Sequence, residues 1–227
     1  MKKGKLIVID GTDGSGKATQ TKELVKRLRR EGLRARSIDF PRYCDNFFGR
    51  FIGECLAGLH GDFSLASPYV ASTFFAADRF ESSKIIRKWI EDGYIVVTDR
   101  YVSANQIHQG GKIKSPKERK KFLEWLEKME FEIFQIPKPS AIIFLDVPIK
   151  ITQDLLKNKK KEKRRYLNGN GDLHENSPSH LHAARKSAIR MVKDKNNWIS
   201  INCVKSGKLK SVTEVAEDIW QEVKSVL

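Results

Sequence analysis

A glycine-rich stretch near the amino terminus carries the residue types of a phosphate-binding loop. Residues 11–19 read GTDGSGKAT, and Gly11, Gly16 and Lys17 match the pattern G-x-x-x-x-G-K-[ST]. In such a loop, backbone N–H groups surround the phosphate oxygens and the lysine contacts the β- and γ-phosphates. The last position usually supplies a hydroxyl to the metal, but here it is Ala18, and Thr19 follows. The stretch therefore predicts a nucleotide site whose metal is held by water and carboxylates.

A second group with chemical potential is Asp99-Arg100-Tyr101, which directly follows the apolar run Ile95-Val96-Val97. A carboxylate at the end of a strand can hold a hydrated magnesium ion, and a neighbouring guanidinium can bind phosphate through two hydrogen bonds. We expect Asp13, inside the loop, and Asp99 to be the metal-binding carboxylates. The alternative is that Asp99 and Arg100 form a structural salt bridge at the strand end.

Arginines recur on three connections, at Arg42, Arg79 and Arg100. Phe75 and Arg79 are four residues apart on a predicted helix, so they share one face of it. An aromatic ring beside an arginine suits a flat base that carries an exocyclic oxygen. The alternative is an aromatic residue in the core next to an arginine on the surface.

Elements that position these residues follow from the hydrophobic pattern. Strands alternate with helical stretches, which predicts an α/β fold with a parallel sheet covered by helices on both faces. The predicted strands are Lys5–Asp10, Arg36–Phe40, Tyr94–Asp99, Ala141–Asp146 and Trp198–Cys203. The clearest helices are Lys17–Glu31, Ser67–Asp92, and two that begin at the capping boxes of Ser115 and Ser211. Ligands bind at the carboxyl ends of such strands, where Asp10, Asp99 and Asp146 lie.

One basic segment does not fit this layered pattern. Lys157–Arg165 reads KNKKKEKRR and is followed by a polar, glycine-containing stretch. A block of like charges does not pack into a core. We expect a mobile excursion over about residues 157–173 within a single domain that spans residues 1–227. His174, His180 and His182 lie near one another in the sequence, but their spacing does not favour a metal site.

Composition limits the class of protein. The 227 residues are 40% hydrophobic and 31% charged, as in globular domains, and no apolar run approaches the length of about 18 residues that a membrane span needs. The three scattered cysteines argue against a disulfide framework, so we expect a cytoplasmic protein without a membrane partner. The net charge of +15 indicates anionic partners, which are nucleotides, nucleic acid bound nonspecifically or acidic lipid headgroups, and the alternative is a solvated basic surface without a specific partner.

Several motifs together resemble the thymidylate kinase family over nearly the whole chain. They are GTDGSGKAT (11–19), DFPRY (39–43), FFAADRFE (74–81), DRYVSANQIHQGG (99–111), LDVP (145–148) and DLHE (172–175). The resemblance implies a phosphate-loop kinase with a five-stranded parallel sheet in the order 2-3-1-4-5, a mobile lid and a homodimer packed through helices. It also implies transfer of the γ-phosphoryl group of ATP to dTMP, with Mg²⁺, to give dTDP for dTTP synthesis.

The same resemblance implies roles for particular residues. Lys17 and the backbone amides of the loop hold the phosphates of ATP. The loop residues are Gly11, Thr12, Asp13, Gly14, Ser15, Gly16, Ala18 and Thr19. Asp13 lies near the acceptor sugar and phosphate, and Arg42 and Arg100 bind the acceptor phosphate, with Phe40 beside them. Phe75 stacks on thymine and Arg79 bonds to its O4. Asn105 reads the base or places the phosphate, and His108 replaces the usual tyrosine or phenylalanine beside the deoxyribose.

The lid is expected to supply a catalytic arginine. In this family an arginine lies either in the phosphate loop or in the lid, and the loop of this chain contains none. Arg164 and Arg165 are therefore the candidates, and the lysines before them are expected to attract nucleotides through long-range charge.

Two other functions remain open from the sequence. One is a different phosphate-loop nucleotide or nucleoside kinase with an altered acceptor. The other is a basic nucleic-acid-binding protein with an inactive kinase fold, which Ala18 and the net charge of +15 would suit.

Overall fold

The computed structural model describes residues 3–158 and 178–227. Its centre is a parallel sheet of five strands in the order β2-β3-β1-β4-β5. The strands are β1 (Lys5–Gly11), β2 (Ala35–Asp39), β3 (Ile95–Asp99), β4 (Ala141–Asp146) and β5 (Trp198–Asn202). Both the α/β class and the strand order expected from the sequence are confirmed, and each strand lies within one residue of its predicted bounds. The excursion predicted at about residues 157–173, with Arg164 and Arg165, lies almost wholly outside the described residues.

Helices connect these strands. They are α1 (Lys17–Arg30), α2 (Phe47–Leu56), α3 (Pro68–Glu91), α4 (Val102–Lys112), α5 (Pro116–Glu127), α6 (Ile149–Asn158), α7 (Pro178–Asp194) and α8 (Val212–Val226). A π-helical turn, Lys128–Ile133, extends α5, and a small hairpin of β6 (Val204–Lys205) and β7 (Lys208–Leu209) precedes α8. No helix among the described residues is long and apolar enough to cross a membrane.

Hydroxyl caps explain where three of the helices begin. The Ser67 side chain accepts the Val70 N–H at 3.2 Å, and the Ser115 side chain accepts the Glu118 N–H at 3.4 Å. Ser211 and Glu214 form a reciprocal capping box at the start of α8. Each cap satisfies an N–H group that has no partner inside its helix. The helix starts predicted from these serines are therefore confirmed.

The core forms two layers because successive side chains of a strand point to opposite faces of the sheet. Leu6 and Val8 pack on one face with α3, α4, α5 and α7. Ile7 and Ile9 pack on the other face with α1 and α8. The near-continuous apolar strands thus reflect burial on both sides.

Helices α4 and α7 pack closely, and this contact fixes the position of α4 beside the strand ends. A Cβ atom at Gly111 would lie 3.1 Å from backbone atoms of Ala183, so a larger residue would push the helices apart. The Ser187 hydroxyl donates to the Gln106 carbonyl at 3.0 Å across the same contact. Gly111 therefore serves helix packing.

Candidate active site

The phosphate loop joins β1 to α1 at the carboxyl edge of the sheet. Gly16 precedes α1 with a φ of 91°, a left-handed conformation that favours glycine. A Cβ atom at Gly11 would lie 2.5 Å from the Ser15 hydroxyl, so the tight turn excludes a side chain there. The first N–H groups of α1 and its positive end face the loop, which is the arrangement that binds phosphate.

Lys17 is buried and folded back over this loop. Its Nζ donates to the carbonyl oxygens of Gly11 at 3.1 Å and Thr12 at 2.9 Å, and lies 3.7 Å from a carboxylate oxygen of Asp13. Burial lowers the pKa of Lys17, and the neighbouring Arg100 lowers it further, although Asp13 and Asp99 act in the opposite direction. A polyanionic ligand would relieve this concentration of positive charge.

The end of β3 brings Asp99 and Arg100 next to the loop. Arg100 has a φ of 65°, an uncommon conformation for a residue with a side chain, and such strain clusters at functional sites. Its Nη2 contacts the Asp13 carboxylate, while its Nε is buried without a hydrogen-bond partner among the described residues. Asp13 thus aligns a guanidinium that still has donors for a ligand.

The three aspartates predicted at strand ends have different environments. Asp10 is fully buried and accepts bonds from the Gly11 N–H at 2.8 Å and from the Ser103 hydroxyl. Asp146 accepts two bonds from Arg185, at 2.7 and 3.0 Å.

Asp99 differs from both, because within residues 3–158 and 178–227 no donor is bonded to its carboxylate. Burial raises its pKa, although Lys17 and Arg100 lower it.

These environments decide which carboxylate suits a magnesium ion. Mg²⁺ usually binds one or two carboxylates and completes its shell with water and substrate phosphates. Asp99 fits, since its oxygens are uncommitted and lie beside the loop. Asp13, in contrast, is already engaged with Arg100 and Lys17. No group of three or more metal-ligating side chains occurs in the part of the chain that the structure describes, so water and phosphates would supply the remaining ligands.

Arg42 lies on the loop that follows β2, beyond the buried Phe40, whose ring centroid is 5.8 Å from that of Tyr101. Its backbone N–H donates to Asp78 at 3.1 Å, and its Nη2 donates to Asp45 at 2.8 Å. Its Nε is buried and has no partner among the described residues. The loop is thus anchored to α3 while the guanidinium keeps a donor for an anion.

Phe75 and Arg79 share one face of α3, as the spacing predicts. Phe75 is half-buried, with its ring centroid 6.2 Å from that of Phe63. Arg79 is 2% exposed and donates to Glu130 at 2.8 and 2.5 Å and to the Tyr101 carbonyl at 3.2 Å. The alternative of a surface arginine is therefore wrong. Sequence reasoning missed Glu130, which the π-helical turn brings against α3.

His108 and Asn105 lie on α4 and face different neighbours. The Asn105 side chain donates to the Ser72 carbonyl at 3.3 Å. His108 Nδ1 lies 3.3 Å from His180 Nε2, and the two rings stack with their centroids 5.4 Å apart. His108 Nε2 is buried and unpartnered within the described ranges, and burial lowers the pKa of His108 well below its usual value. Burial thus favours the neutral form of the His108 ring, and its Nε2 is a polar atom that the described residues leave unbonded.

The sheet order, the phosphate loop at the end of β1 and the charged residues at the end of β3 define a phosphate-loop kinase fold. The sequence model described as "Thymidylate kinase" matches residues 9–216. The chain belongs to the thymidylate kinase family.

Relatives from distant organisms match different shares of the chain. The thymidylate kinase of Mycobacterium tuberculosis is 32% identical over 63% of this chain and 65% of its own length. The probable thymidylate kinase of Pyrococcus abyssi is 32% identical over 99% of this chain and 98% of its own length. A solved structure of thymidylate kinase from Candida albicans superposes with a TM-score of 0.73 at 21% identity, covering 98% of this chain and 92% of that one, which supports the fold.

Proposed function

We propose that this protein transfers the γ-phosphoryl group of ATP to dTMP, giving dTDP and ADP, with Mg²⁺ as the metal. The observation that carries the proposal is the convergence of Lys17, Asp99 and Arg100 beside a phosphate loop, with donors and acceptors that the described residues leave open. Membership of the thymidylate kinase family selects dTMP as the acceptor.

The donor phosphates bind to the loop amides over Gly11–Thr19 and to Lys17. Ligand oxygens replace the Gly11 and Thr12 carbonyls that now hold the ammonium group. Buried hydroxyls of Thr12 and Ser15, which have no partner among the described residues, offer two further donors at the loop. Mg²⁺, when bound, neutralises charge that develops on the phosphate oxygens. Asp99 would hold it through its uncommitted carboxylate, and Asp13 contributes by orienting Arg100.

The acceptor lies across the site from ATP. Arg42 and Arg100 bind its phosphate and draw the two polyanions together, which is the main electrostatic obstacle in phosphoryl transfer. The acceptor phosphate is already a nucleophile, so the residues need only position it and stabilise charge.

Phe75, Asn105 and His108 line the base and sugar side of the acceptor. Arg79 presents its Nη1 toward the Tyr101 carbonyl on this side, and we propose that thymine O4 shares that donor. His108 Nε2 is placed to hydrogen-bond the sugar edge, which would relax the preference for deoxyribose.

We also infer that Arg164 or Arg165 of the lid contacts the transferring phosphoryl group, because no described residue of the loop is an arginine. The protein is further proposed to form a homodimer. Exposed apolar side chains on α3 and on the π-helical turn support it: Val70, Phe80, Ile85 and Ile133. A cytoplasmic location agrees with the free thiols of Cys44, Cys55 and Cys203.

A substrate panel tests the acceptor. ADP release is measured with ATP and Mg²⁺ against dTMP, dUMP, UMP, dCMP and thymidine, each at saturating and limiting concentrations. The proposal expects the highest kcat/KM for dTMP and no turnover in EDTA. A higher kcat/KM for another acceptor would make the protein a different nucleotide kinase, and no ADP release from folded protein would make the kinase fold inactive.

A further inference from the structure

A basic groove lies at the amino-terminal edge of the sheet, on the side opposite the phosphate loop. It is a shallow, open groove of about 400 Å³, lined by Arg29, Leu33, Arg34, Ala35, Arg36 and Tyr94. Arg29 lies in the last turn of α1, Leu33 to Arg36 lead into β2, and Tyr94 directly precedes β3, whereas Asp99 ends β3. A five-residue strand separates the two edges by roughly 13 Å. The groove is therefore distinct from the candidate active site.

Contacts with the backbone and with Tyr94 hold the three arginines in place. Arg29 donates through Nε and Nη2 to the Ala35 carbonyl, at 3.3 and 3.0 Å. Arg34 donates through Nη1 to the Asp92 carbonyl at 2.8 Å, and Arg36 donates through Nη2 to the Tyr94 hydroxyl at 3.4 Å. Each guanidinium thus keeps further N–H donors for a ligand, since it has five in total.

Two aromatic rings stack with these cations. The Arg34 guanidinium lies 4.0 Å from the centre of the Tyr94 ring, and that of Arg36 lies 4.6 Å from the same ring and 5.0 Å from the Trp89 ring. Hydrogen bonds from Arg36 and Arg34 lower the pKa of Tyr94. Stacking limits the freedom of long side chains, so less entropy is lost when an anion binds.

Carboxylates do not neutralise this cluster. None of the three guanidinium groups forms an ion pair with a described residue. Two acids close to these arginines in the sequence pair with other cations: the Asp92 carboxylate lies 3.5 Å from Lys88, and that of Glu31 lies 2.6 Å from Arg27. Three exposed positive charges at one groove, in a chain of net charge +15, attract an anion that carries more than one negative charge.

We propose that this groove is a second anion site that binds chains of phosphate groups. Guanidinium groups bind phosphate oxygens through paired hydrogen bonds, and three of them can contact successive phosphates. Such a chain is carried either by a free polyphosphate, including a nucleoside triphosphate, or by a single strand of nucleic acid, for which Trp89 and Tyr94 would add an aromatic surface. Phosphoryl transfer does not require the high positive charge of the protein. In this proposal, that charge attracts phosphate chains to the groove.

The test compares two variants of equal charge. Arg34→Gln with Arg36→Gln alters the groove, and Arg50→Gln with Lys120→Gln removes two exposed charges elsewhere. Both are made in a Lys17→Ala background, so that the phosphate loop contributes less to binding. Affinities for inorganic tripolyphosphate and for a single-stranded thymidine oligonucleotide are measured by calorimetry over a range of salt concentrations. The kcat of each charge variant with Lys17 intact is measured in parallel.

The proposal expects the groove variant to lose at least about tenfold in affinity for one or both ligands, and the control variant less than about twofold. For the oligonucleotide, removal of two phosphate contacts should also reduce the salt slope by about 1.4. Loss for tripolyphosphate alone identifies a free polyphosphate as the ligand, and loss for the oligonucleotide alone identifies a strand.

Equal losses in the two charge variants would contradict the proposal, because the effect would then be one of net charge. Absence of binding to either ligand in the parent protein would also contradict it. The kcat with dTMP should stay within about twofold in both variants, and a larger loss in the groove variant would show that the groove belongs to the catalytic site.

Discussion

Two clusters of buried charge in this molecule differ in how completely their hydrogen-bonding groups are satisfied. Arg79 and Glu130 form a closed pair, with both carboxylate oxygens bonded to the guanidinium and the third nitrogen bonded to the Tyr101 carbonyl. The cluster of Lys17, Asp13 and Arg100 is open, because Arg100 keeps a donor without a partner among the described residues and is held in a left-handed conformation. Both clusters contain ion pairs, but only the second is incomplete.

This difference distinguishes charged residues that stabilise the fold from charged residues that are available to bind a ligand. A closed buried pair stabilises one arrangement of α3 and the π-helical turn, and its loss leaves an uncompensated charge. An open cluster with strained backbone and a perturbed lysine is instead suited to bind an anion, which we propose is phosphate. Variants in the two clusters should therefore fail in different ways: those in the closed pair mainly in folding, with weaker dTMP binding where Arg79 itself is replaced, and those in the open cluster in turnover.

The largest effect is expected from breaking the closed pair. Glu130→Ala leaves Arg79 buried without its partner and should lower the free energy of unfolding by about 3–5 kcal/mol. Replacing both residues, as Arg79→Met with Glu130→Leu, should restore most of that loss, because neither charge then remains buried alone. Urea unfolding of the two variants and the parent measures this.

The double variant also isolates the role of Arg79 in base recognition. If Arg79 hydrogen-bonds to thymine, the KM of the double variant for dTMP should be about 5- to 150-fold above that of the parent protein. This range is the equivalent of about 1–3 kcal/mol for an unsatisfied base oxygen. The KM for ATP should be unchanged. A double variant that recovers both stability and normal dTMP affinity would assign Arg79 to the scaffold alone.

The open cluster is tested by Lys17→Ala. This change should lower kcat by about 10²- to 10³-fold, as for the loss of one preorganised donor, while the midpoint of thermal unfolding stays near that of the parent. Steady-state kinetics and calorimetry provide the two readouts. A folded variant with near-normal kcat would remove Lys17 from the phosphate site.

The lid arginines should have a smaller but still catalytic effect. Arg164→Ala or Arg165→Ala is expected to reduce kcat at least about tenfold, since an arginine on the transferring phosphoryl group stabilises the transition state. The matched control replaces Lys159, Lys160 and Lys161, and should raise KM mainly at low salt. An unchanged kcat in the double arginine variant would mean that the catalytic cation comes from another part of the chain.

The pH dependence sharpens the account of Lys17. Because its pKa lies below the usual 10.5 in the free protein, it loses its proton at a lower pH than an exposed lysine. As pH rises, kcat/KM for ATP should therefore begin to fall below pH 10.5. In the enzyme with bound phosphate, the corresponding fall in kcat should occur at a higher pH. An alkaline limb that is absent while the protein stays folded would contradict this electrostatic description.

The smallest effect is expected at His108. Its neutral ring has an uncommitted Nε2, which can accept or donate a hydrogen bond according to tautomer. His108→Tyr should raise the preference for dUMP over UMP by a few-fold, as the larger ring leaves less room for a 2′-hydroxyl. A ratio of kcat/KM values that does not change would show that this residue does not contact the sugar.

The sequence predicted the local features of the molecule well. Continuous apolar runs identified the five strands because burial on both faces leaves that pattern, and the serine-led motifs at Ser115 and Ser211 located the starts of α5 and α8. Lys17 at the start of α1 and Asp99 at the end of β3 also lie where the sequence placed them, while their roles stay predictions.

Long-range partners were not predictable in the same way. Glu130 pairs with Arg79 across 51 positions through a π-helical turn that no spacing rule indicates. Ser103 bonds to Asp10, and Arg185 to Asp146, only because the sheet and α7 bring distant segments together. His180 meets His108 for the same reason, and the arginines at the opposite edge of the sheet form a groove only once β2 and β3 are paired.

Direct transfer of the phosphoryl group tests the central claim. The protein is incubated with ATP labelled in the γ-phosphate, dTMP and Mg²⁺, and the products are separated. The account predicts that the label appears in dTDP in proportion to the ADP formed, and that Lys17→Ala reduces it by at least about 100-fold. Label that appears only as inorganic phosphate, or that remains in ATP while the protein is folded, would contradict it.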